Sequence, residues 1–259
     1  MNRILTTLST TAAILAIGSS TAIAEHHEDG FLVIPVDMYA CSYKDQTGPE
    51  DLDAYVKNFN KWADDKGMDD ASVWTLTPYY FGPGDNSTFD FIWMIASKSA
   101  AALGKTHDTW LADNDGLQEE ANKFADCSGH SNFASVNYKP TPEGKTPEDS
   151  VITFSDCNYD EGATFEGLSA AMDAWSKHLA DKGSEAGIFH WYPVYGGGGE
   201  KFDFKWIEAH SNFEAMGVDY DDYATGRGFE TYGELVRPLV TCDAARVYRG
   251  KSRRFAQLR

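Results

Sequence analysis

Apolar and polar positions along the chain follow two periods, one typical of strands and one typical of helices. Residues 31–43 form an extended run rich in β-branched and aromatic side chains, which favours a strand. The segment Thr47-Gly-Pro-Glu50 has the form of a capping box with proline in the first turn, and it predicts a helix start. The helix ends near Gly67, and its apolar stripe comprises Leu52, Tyr55, Val56, Phe59, Trp62 and Ala63.

Two strands with a glycine-rich connection, a second helix and a last strand complete this first series. The two strands are predicted over residues 73–81 and 89–97. The second helix begins near Ser99, and the last strand ends at Tyr138. The order strand, helix, strand, strand, helix, strand is that of a ferredoxin-like unit.

The same series occurs a second time. Cys41-Ser-Tyr43 recurs 116 positions later as Cys157-Asn-Tyr159, and Phe89-Asp-Phe-Ile-Trp93 recurs 113 positions later as Phe202-Asp-Phe-Lys-Trp206. Because such matches keep their order and nearly constant spacing, they indicate a duplicated unit of about 110 residues. We predict a first repeat over residues 25–138, a linker over 139–150, a second repeat over 151–250 and a basic tail over 251–259.

The first 24 residues have the form of a secretory signal peptide. Arg3 precedes a short apolar core, and Ala22-Ile-Ala24 has small residues at the cleavage positions. We therefore predict a periplasmic or secreted protein. Cleavage after Ala24 would create the terminus Glu25-His26-His27, an alternative copper or nickel site, although a plain acidic terminus is the favoured interpretation.

The chain is strongly acidic. Its formal net charge is −18, and loss of Arg3 with the leader makes it −19. So acidic a surface repels nucleic acid and anionic membranes, and no segment after the leader is apolar enough for membrane insertion. We expect a small-molecule ligand as the partner, while the sequence defines no protein partner.

Four cysteines in an exported chain predict two disulfides. Each repeat has one cysteine at the end of its first strand and one immediately before its last strand, and these strand ends are neighbours in a ferredoxin-like unit. The duplication and the topology together favour the pairs Cys41–Cys127 and Cys157–Cys242. No close Cys-x-x-Cys pair and no histidine at ligand spacing accompany them, so we predict no metal site.

The tandem βαββαβ units resemble the dimeric α/β-barrel superfamily, which includes antibiotic-biosynthesis monooxygenase-like and NIPSNAP-like proteins. The resemblance implies an α+β fold in which the two ferredoxin-like repeats pair their sheets into one intrachain barrel, with helices outside. The superfamily hosts oxygenases, haem enzymes, isomerases and binding proteins, so it implies no single activity. The cofactor is left undefined; with haem, His190 or His210 would be the axial ligand candidates.

The hairpin strands distinguish the second repeat from the first. We assign the face that carries His190 and Trp206 to the barrel interior. His190 would then lie opposite Trp206 and diagonal to Glu208, and a histidine oriented by a carboxylate can act as a general base. The predicted catalytic residues are His190, Glu208 and Tyr192, and the predicted ligand-binding residues are Trp206, His210, Phe204, Trp93, Phe91 and Tyr79.

These residues suggest a protein that handles a small aromatic or apolar ligand in a barrel cavity. One hypothesis is a cofactor-independent oxygenase- or isomerase-like enzyme that uses His190. The alternative is a non-catalytic periplasmic binding module, or a structural or partner-binding module whose interior is filled by its own side chains. His107 and His130 follow no pattern and receive no role, and Gly196-Gly-Gly-Gly199 lacks the lysine of a phosphate-binding loop, which favours a plain turn.

Overall fold

Each repeat contains the predicted series of elements, with one extra short helix before the last strand. The computed structural model describes residues 33–82, 89–141, 148–197 and 199–256. The predicted leader and the histidines at positions 26 and 27 lie outside these residues. The first repeat comprises β1 (Val33–Tyr43), α1 (Pro49–Asp65), β2 (Ala71–Tyr80), β3 (Phe91–Ser97), α2 (Ala100–Ala112), α3 (Leu117–Phe124) and β4 (Ala125–Lys139). The second comprises β5 (Asp149–Tyr159), α4 (Phe165–Asp181), β6 (Gly187–Tyr195), β7 (Phe204–His210), α5 (Phe213–Ala224), α6 (Gly228–Leu235), β8 (Val240–Cys242) and β9 (Arg246–Arg254).

Among the described residues, none of the helices has the length and apolar character needed to span a membrane. The helix α2 begins near Ser99 as predicted, and α5 begins directly after Asn212; in the structure both of these side chains cap their helices. Helix α1 begins one residue later than its predicted capping box. Its N-cap is Gly48, whose amide donates to Asp51 at 2.8 Å, because the Thr47 hydroxyl is used to bond the loop to carbonyls at the end of α3 and in the preceding turn.

Eight strands close into an antiparallel barrel in the order β1-β3-β2-β9-β5-β7-β6-β4, and β8 is a short additional strand beside β5. The two repeats are joined by strand pairing at both of their edges, since β4 pairs with β6 of the second repeat and β9 pairs with β2 of the first. The predicted intrachain barrel is therefore confirmed. The predicted tail is partly wrong, because residues 251–254 continue β9 and pair with β2.

Both predicted disulfides form. Cys41 lies opposite Cys127 and is bonded to it, and Cys157 lies opposite Cys242 and is bonded to it. The first bridge joins β1 to the start of β4, and the second joins β5 to β8, directly before the last strand β9. Two disulfides are typical of proteins that fold outside the reducing cytoplasm.

The apolar side chains form three separate clusters. One lies between the helices and the sheet of the first repeat, a second lies at the same place in the second repeat, and the third fills the barrel. The barrel cluster is built from strand residues, namely Val36, Leu76, Ile92, Ala96, Phe133, Phe154, Trp191, Ile207 and Tyr248. An eight-stranded barrel is just wide enough for such side chains to fill it.

The predicted assignment of the strand faces is wrong. Phe91 and Trp93 pack beneath the helices of the first repeat, and Phe204 and Trp206 pack beneath those of the second. Alternation alone could not decide this, because both faces of every barrel strand are covered and both are apolar. Large aromatic side chains occur on both sides of the sheet, as Trp191 and Phe154 in the barrel and Trp206 and Phe204 beneath the helices show, so side-chain size does not distinguish the two faces either.

Candidate functional site

A cavity of about 410 Å³ lies between the helices and the sheet of the first repeat. This volume is within the range of small-molecule sites. The cavity is aromatic along most of its length and polar at one end. Its lining residues are Tyr39, Cys41, Leu52, Tyr55, Phe59, Trp62, Met68, Phe91, Trp93, Ile95, Thr106, His107, Trp110, Gln118, Ala121, Phe124, Ala125, Cys127, Ser128, Gly129 and His130.

The aromatic walls follow from the helical stripe seen in the sequence. Phe59 on α1 meets Trp93 on β3 edge-on, with ring centroids 5.1 Å apart, and Trp62 meets Trp110 on α2 in the same way at 5.2 Å. Such edge-to-face pairs hold large rings in fixed positions. Helix α3 presents the small side chain of Ala121 to this space, so room for a ligand remains between the rings.

Three elements bring polar groups together at the other end of the cavity. Asp37 on β1 is buried, and its Oδ2 lies 2.6 Å from His107 Nε2 on α2 and 3.4 Å from His130 Nε2 on β4. Asn132, directly opposite Asp37 on β4, donates its side-chain amide to Asp37 Oδ1 at 2.7 Å. His130 stacks on Tyr39, its cross-strand partner, with ring centroids 3.9 Å apart.

The main charged group here is the buried carboxylate of Asp37, which interacts with two histidines. Burial works to raise the pKa of the Asp37 carboxyl, but hydrogen bonds from His107, His130 and Asn132 outweigh it and hold the pKa well below its usual range. The hydrogen bond to Asp37 in turn raises the pKa of His107 against the opposing effect of burial. Chemically, such a group can transfer a proton between imidazole and carboxylate, or it can bind a divalent metal ion.

The second repeat has neither the carboxylate nor the two histidines of this group. By the displacement of the repeats, Asp37 corresponds to Thr153, His107 to Tyr220 and His130 to Ala245. Aromatic rings pack in the equivalent layer, where Tyr232 of α6 lies 6.0 Å from Trp206. The polar end is therefore specific to the first repeat.

His190 does not occupy a catalytic position. Its pairing with Trp206 is confirmed, but the side chain is fully buried beneath the helices of the second repeat, and its ring packs against Tyr138, Phe204 and Trp206 at 4.5–4.9 Å. Neither ring nitrogen has a hydrogen-bond partner among the described residues. Burial lowers the pKa of His190 to about 3, so the ring stays neutral and apolar in character.

The predicted contact between His190 and Glu208 is wrong. Glu208 lies opposite Ile188 and accepts a hydrogen bond from Trp206 Nε1 at 3.2 Å. Glu208 Oε2 is 3.6 Å from His210 Nε2, and Asp219 faces the other nitrogen of His210 at 3.2 Å. Burial works to lower the pKa of His210, but these two carboxylates outweigh it and raise it to about 9.

The remaining predicted residues divide between the two repeats. Trp93 and Phe91 line the cavity of the first repeat, whereas Phe204 and Trp206 belong to the core of the second. The Tyr192 hydroxyl is 3.0 Å from that of Tyr159, and burial raises its pKa. Tyr79 is about half exposed and packs on Phe213 of α5. Haem ligation by His190 or His210 does not fit, since the first ring is enclosed by aromatic groups and both nitrogens of the second face carboxylates.

Sequence reasoning missed Asp37, His107 and His130. One signal was present: Asp37 is a charged residue in an otherwise apolar strand, and its counterpart in the second repeat is the neutral Thr153. A buried carboxylate requires partners, and a search for them would have turned to the histidines of the first repeat. No histidines lie at ligand spacing along the sequence, as stated above. In the folded chain, however, His107 and His130 face the same carboxylate oxygen.

Comparison with known proteins identifies the fold. No family model matches the sequence, and no curated protein matches it. The putative monooxygenase from Lactobacillus acidophilus NCFM superposes with a TM-score of 0.52 at 11% identity, covering 88% of this chain and 97% of that one. The putative chlorite dismutase TA0507 superposes with a TM-score of 0.50 at 10% identity, covering 85% of this chain and 94% of that one.

These likenesses extend over most of each chain and include the closed eight-stranded barrel. The chain therefore has the dimeric α/β-barrel fold, with both halves in one polypeptide. At identities of 10–11% the likeness defines the fold alone, because one fold supports many activities.

Proposed function

We propose that this protein is an exported enzyme of oxygenase or isomerase type that acts on a small, mainly apolar molecule in the cavity of the first repeat. The observation that carries the proposal is an aromatic cavity of about 410 Å³ whose lining includes His107 and His130, two histidines that both contact the buried carboxylate of Asp37. Apolar walls with a few convergent polar groups are typical of small-molecule sites. The two disulfides and the leader-like first 24 residues support export.

The aromatic walls support a flat or apolar ligand. Phe59, Trp62, Trp93 and Trp110 present ring faces and edges, which contribute contact area without donors or acceptors beyond the indole nitrogens. The polar end supports a ligand with one hydroxyl or carbonyl group, since the His107 and His130 side chains line the cavity there and can accept or donate a hydrogen bond. A histidine there could begin either reaction by removing a proton from the hydroxyl group or from the carbon next to the carbonyl group, with O2 as the oxidant in the case of oxygenation.

Ligand binding can be tested with 2-naphthol as a probe. Three of the seven tryptophans line the cavity, so their fluorescence should be quenched on binding. The variant Ala121→Phe adds a ring inside the cavity and should weaken probe affinity at least about tenfold, which corresponds to about 1.4 kcal/mol. Ala101→Phe on the exposed side of α2 is the control, and it should leave the affinity unchanged.

The chemical role can be separated from binding with a second comparison. Naphthalene lacks the hydroxyl of 2-naphthol, so it should bind more weakly to the native chain, and the difference should shrink in His107→Gln. Oxygen uptake and solvent-deuterium exchange, followed for a panel of small phenols and enones, test turnover. Loss of turnover in His107→Gln supports an enzyme, whereas binding without turnover of any panel member would leave a binding protein.

A further inference from the structure

The donor atoms at the polar end of the cavity are arranged around a common centre. One atom each from Asp37, His107 and His130 lies within 4.8 Å of the others. The three residues come from β1, α2 and β4, so the barrel sheet fixes two of them and a helix packed over it fixes the third. Both histidines direct Nε2 toward the same carboxylate oxygen, Asp37 Oδ2.

The buried negative charge of Asp37 favours a bound cation. The Asp37 side chain is 2% exposed, and a carboxylate buried to that degree is costly unless it is paired. Its ion-pair partners among the described residues are the two histidines, which carry a positive charge only when protonated. A divalent ion would neutralise the carboxylate with both imidazoles in the neutral form that binds metals.

Neighbouring residues already orient the donors. Asn132 occupies Asp37 Oδ1 with a hydrogen bond of 2.7 Å, so Oδ2 is the oxygen that faces the two histidines. Tyr39 stacks on the His130 ring and fixes its plane. Outer partners of this kind are a regular feature of metal sites, because they set the orientation of the ligands.

We propose that Asp37, His107 and His130 bind a divalent transition-metal ion at the polar end of the cavity. One carboxylate and two imidazoles are a ligand set that leaves open positions for a small molecule, and the aromatic cavity lies on that side. With metal–ligand bonds of about 2.1 Å, ligand atoms on one ion are about 3.0–3.4 Å apart. His130 already lies 3.4 Å from Asp37 Oδ2, and His107 at 2.6 Å must withdraw by about 0.4–0.8 Å to reach that range.

The inference deepens the proposed function, on which it rests, by naming the cofactor class of the same site. It also predicts a stoichiometry of one ion, because Thr153, Tyr220 and Ala245 replace the ligands in the second repeat. The cluster around His210 does not form an equivalent site. Its two carboxylates face different nitrogens of one ring, so they cannot share an ion with it.

The test measures metal binding directly. The mature chain, without an affinity tag and with His26→Gln and His27→Gln to remove the terminal histidines, is freed of metal with a chelator and titrated with Co²⁺ and Zn²⁺. Calorimetry and the visible absorption of Co²⁺ should show one equivalent bound. His107→Gln and His130→Gln should each weaken binding by more than the roughly 10–100-fold that loss of an outer partner causes.

The matched control is His178→Gln. His178 also faces a carboxylate, Asp222, at 3.1 Å, but no second histidine joins this pair among the described residues. The control should bind cobalt like the parent chain. Because the His130 side chain is 48% exposed, His130→Gln should fold even if the more buried variant does not.

Equal cobalt affinity in the parent chain and His130→Gln would overturn the metal site, as would absence of binding in the parent. The 2-naphthol titration of the metal-free protein distinguishes the two proposals. Naphthol binding without metal binding removes only the metal site, and loss of both removes the proposed function as well.

Discussion

Asp37 and His190 are both buried polar residues, but burial has opposite consequences for them. Three side chains donate to or surround the Asp37 carboxylate, so it keeps its charge. His190 has no hydrogen-bond partner among the described residues and lies between aromatic rings, so it loses its charge. A histidine of this kind acts as a planar packing group, much like phenylalanine.

The replacement His190→Met should therefore change how stability depends on pH. The pKa of His190 is lowered to about 3 in the folded chain, whereas it is about 6.5 when unfolded. The unfolded state binds the extra proton, so the native chain loses stability as the pH falls below about 6.5. Between pH 8 and pH 5 this loss amounts to about 2 kcal/mol.

Urea unfolding of both chains at the two pH values, with disulfides intact, measures this difference. Any packing cost of methionine is present at both pH values and cancels. Between pH 8 and pH 5 the variant should lose about 2 kcal/mol less than the native chain does. Equal losses in the two chains would show that His190 is protonated in the folded state.

At the residue scale, the sequence predicts the disulfides but not the site. Cys41 and Cys157 stand at equivalent positions of a visible repeat, so duplication supplies their partners. The partners of Asp37 are 70 and 93 positions away on a helix and a strand, and nothing in local pattern connects them. A catalytic role was predicted for His190 because the first repeat has no histidine at the equivalent position. A difference between repeats can also arise from packing, as it does here.

At the scale of elements, a turn of the second repeat supports the site of the first. Gly196, after β6, has a φ of +77°, and a Cβ at this position would lie 2.1 Å from the His130 carbonyl oxygen. A side chain therefore cannot be added without moving the segment of β4 that carries His130. Residue 198 of the predicted glycine-rich turn lies outside the described residues, but Gly196, its first glycine, is required by this close approach.

Gly196→Ala should destabilise the chain and weaken 2-naphthol or cobalt binding together. The left-handed conformation alone costs about 1–2 kcal/mol for alanine, and the clash with His130 adds to it. Gly183→Ala is the matched control, since Gly183 has a φ of +84° and open space around its Cβ. It should lose stability through the backbone alone and bind normally. Equal effects of the two variants on binding would contradict the proposed support.

The two disulfides provide a second comparison between elements. They enclose chain segments of 86 and 85 residues, so chain entropy predicts the same stabilisation for each, up to about 4.5 kcal/mol. Only Cys41–Cys127 lines the cavity and joins the strands that carry Asp37 and His130. Replacing either pair by alanine should lower the melting temperature similarly, whereas only the first replacement should weaken probe binding. A similar loss of probe binding in both variants would contradict a specific contribution of the Cys41–Cys127 disulfide to the cavity.

The elements themselves could be predicted well because their periodicity and caps are local. Their faces could not, since helices cover one side of each barrel strand and the opposite barrel wall covers the other. Leu76 and Val73 are both fully buried, although they point to opposite sides of β2. Burial on both sides removes the polar alternation on which such an assignment depends.

At the scale of the whole molecule, the last strand closes the barrel. Strand β9 pairs with both β2 and β5, and Arg253 donates to the Thr75 hydroxyl at 2.8 Å beneath the first repeat's helices. Arg254 pairs with Asp64 of α1 at 2.6 Å. The basic residues at this end of the chain therefore bind the acidic body as part of the sheet.

A chain that ends at Gly250 should consequently close the barrel less stably, because it loses three of the seven register pairs between β9 and β2. We expect its melting temperature to fall by at least about 10 °C, equivalent to about 3–5 kcal/mol for this size, because β2 loses much of its pairing with β9. The double variant Arg249→Gln, Lys251→Gln removes two positive charges but keeps the strand. It should melt within about 2 °C of the native chain, and a larger fall would assign the stabilisation to charge rather than to pairing.

The pairing of strands between the repeats also indicates that the same barrel could be built from a circularly permuted chain. Val33 lies opposite Val136 in the first repeat and Asp149 lies opposite Lys251 in the second, so both repeats use the same register. We therefore expect the separation from the end of β4 at Lys139 to the start of β5 at Asp149 to match that from the end of β9 at Arg254 to the start of β1 at Val33. Nine residues, 140 to 148, stand between β4 and β5 in the sequence. A circular permutant opened at Asp149, with residue 256 joined to residue 33 by a connection of that length, would encode the same barrel. The barrel would then not depend on which of the two repeats comes first in the sequence.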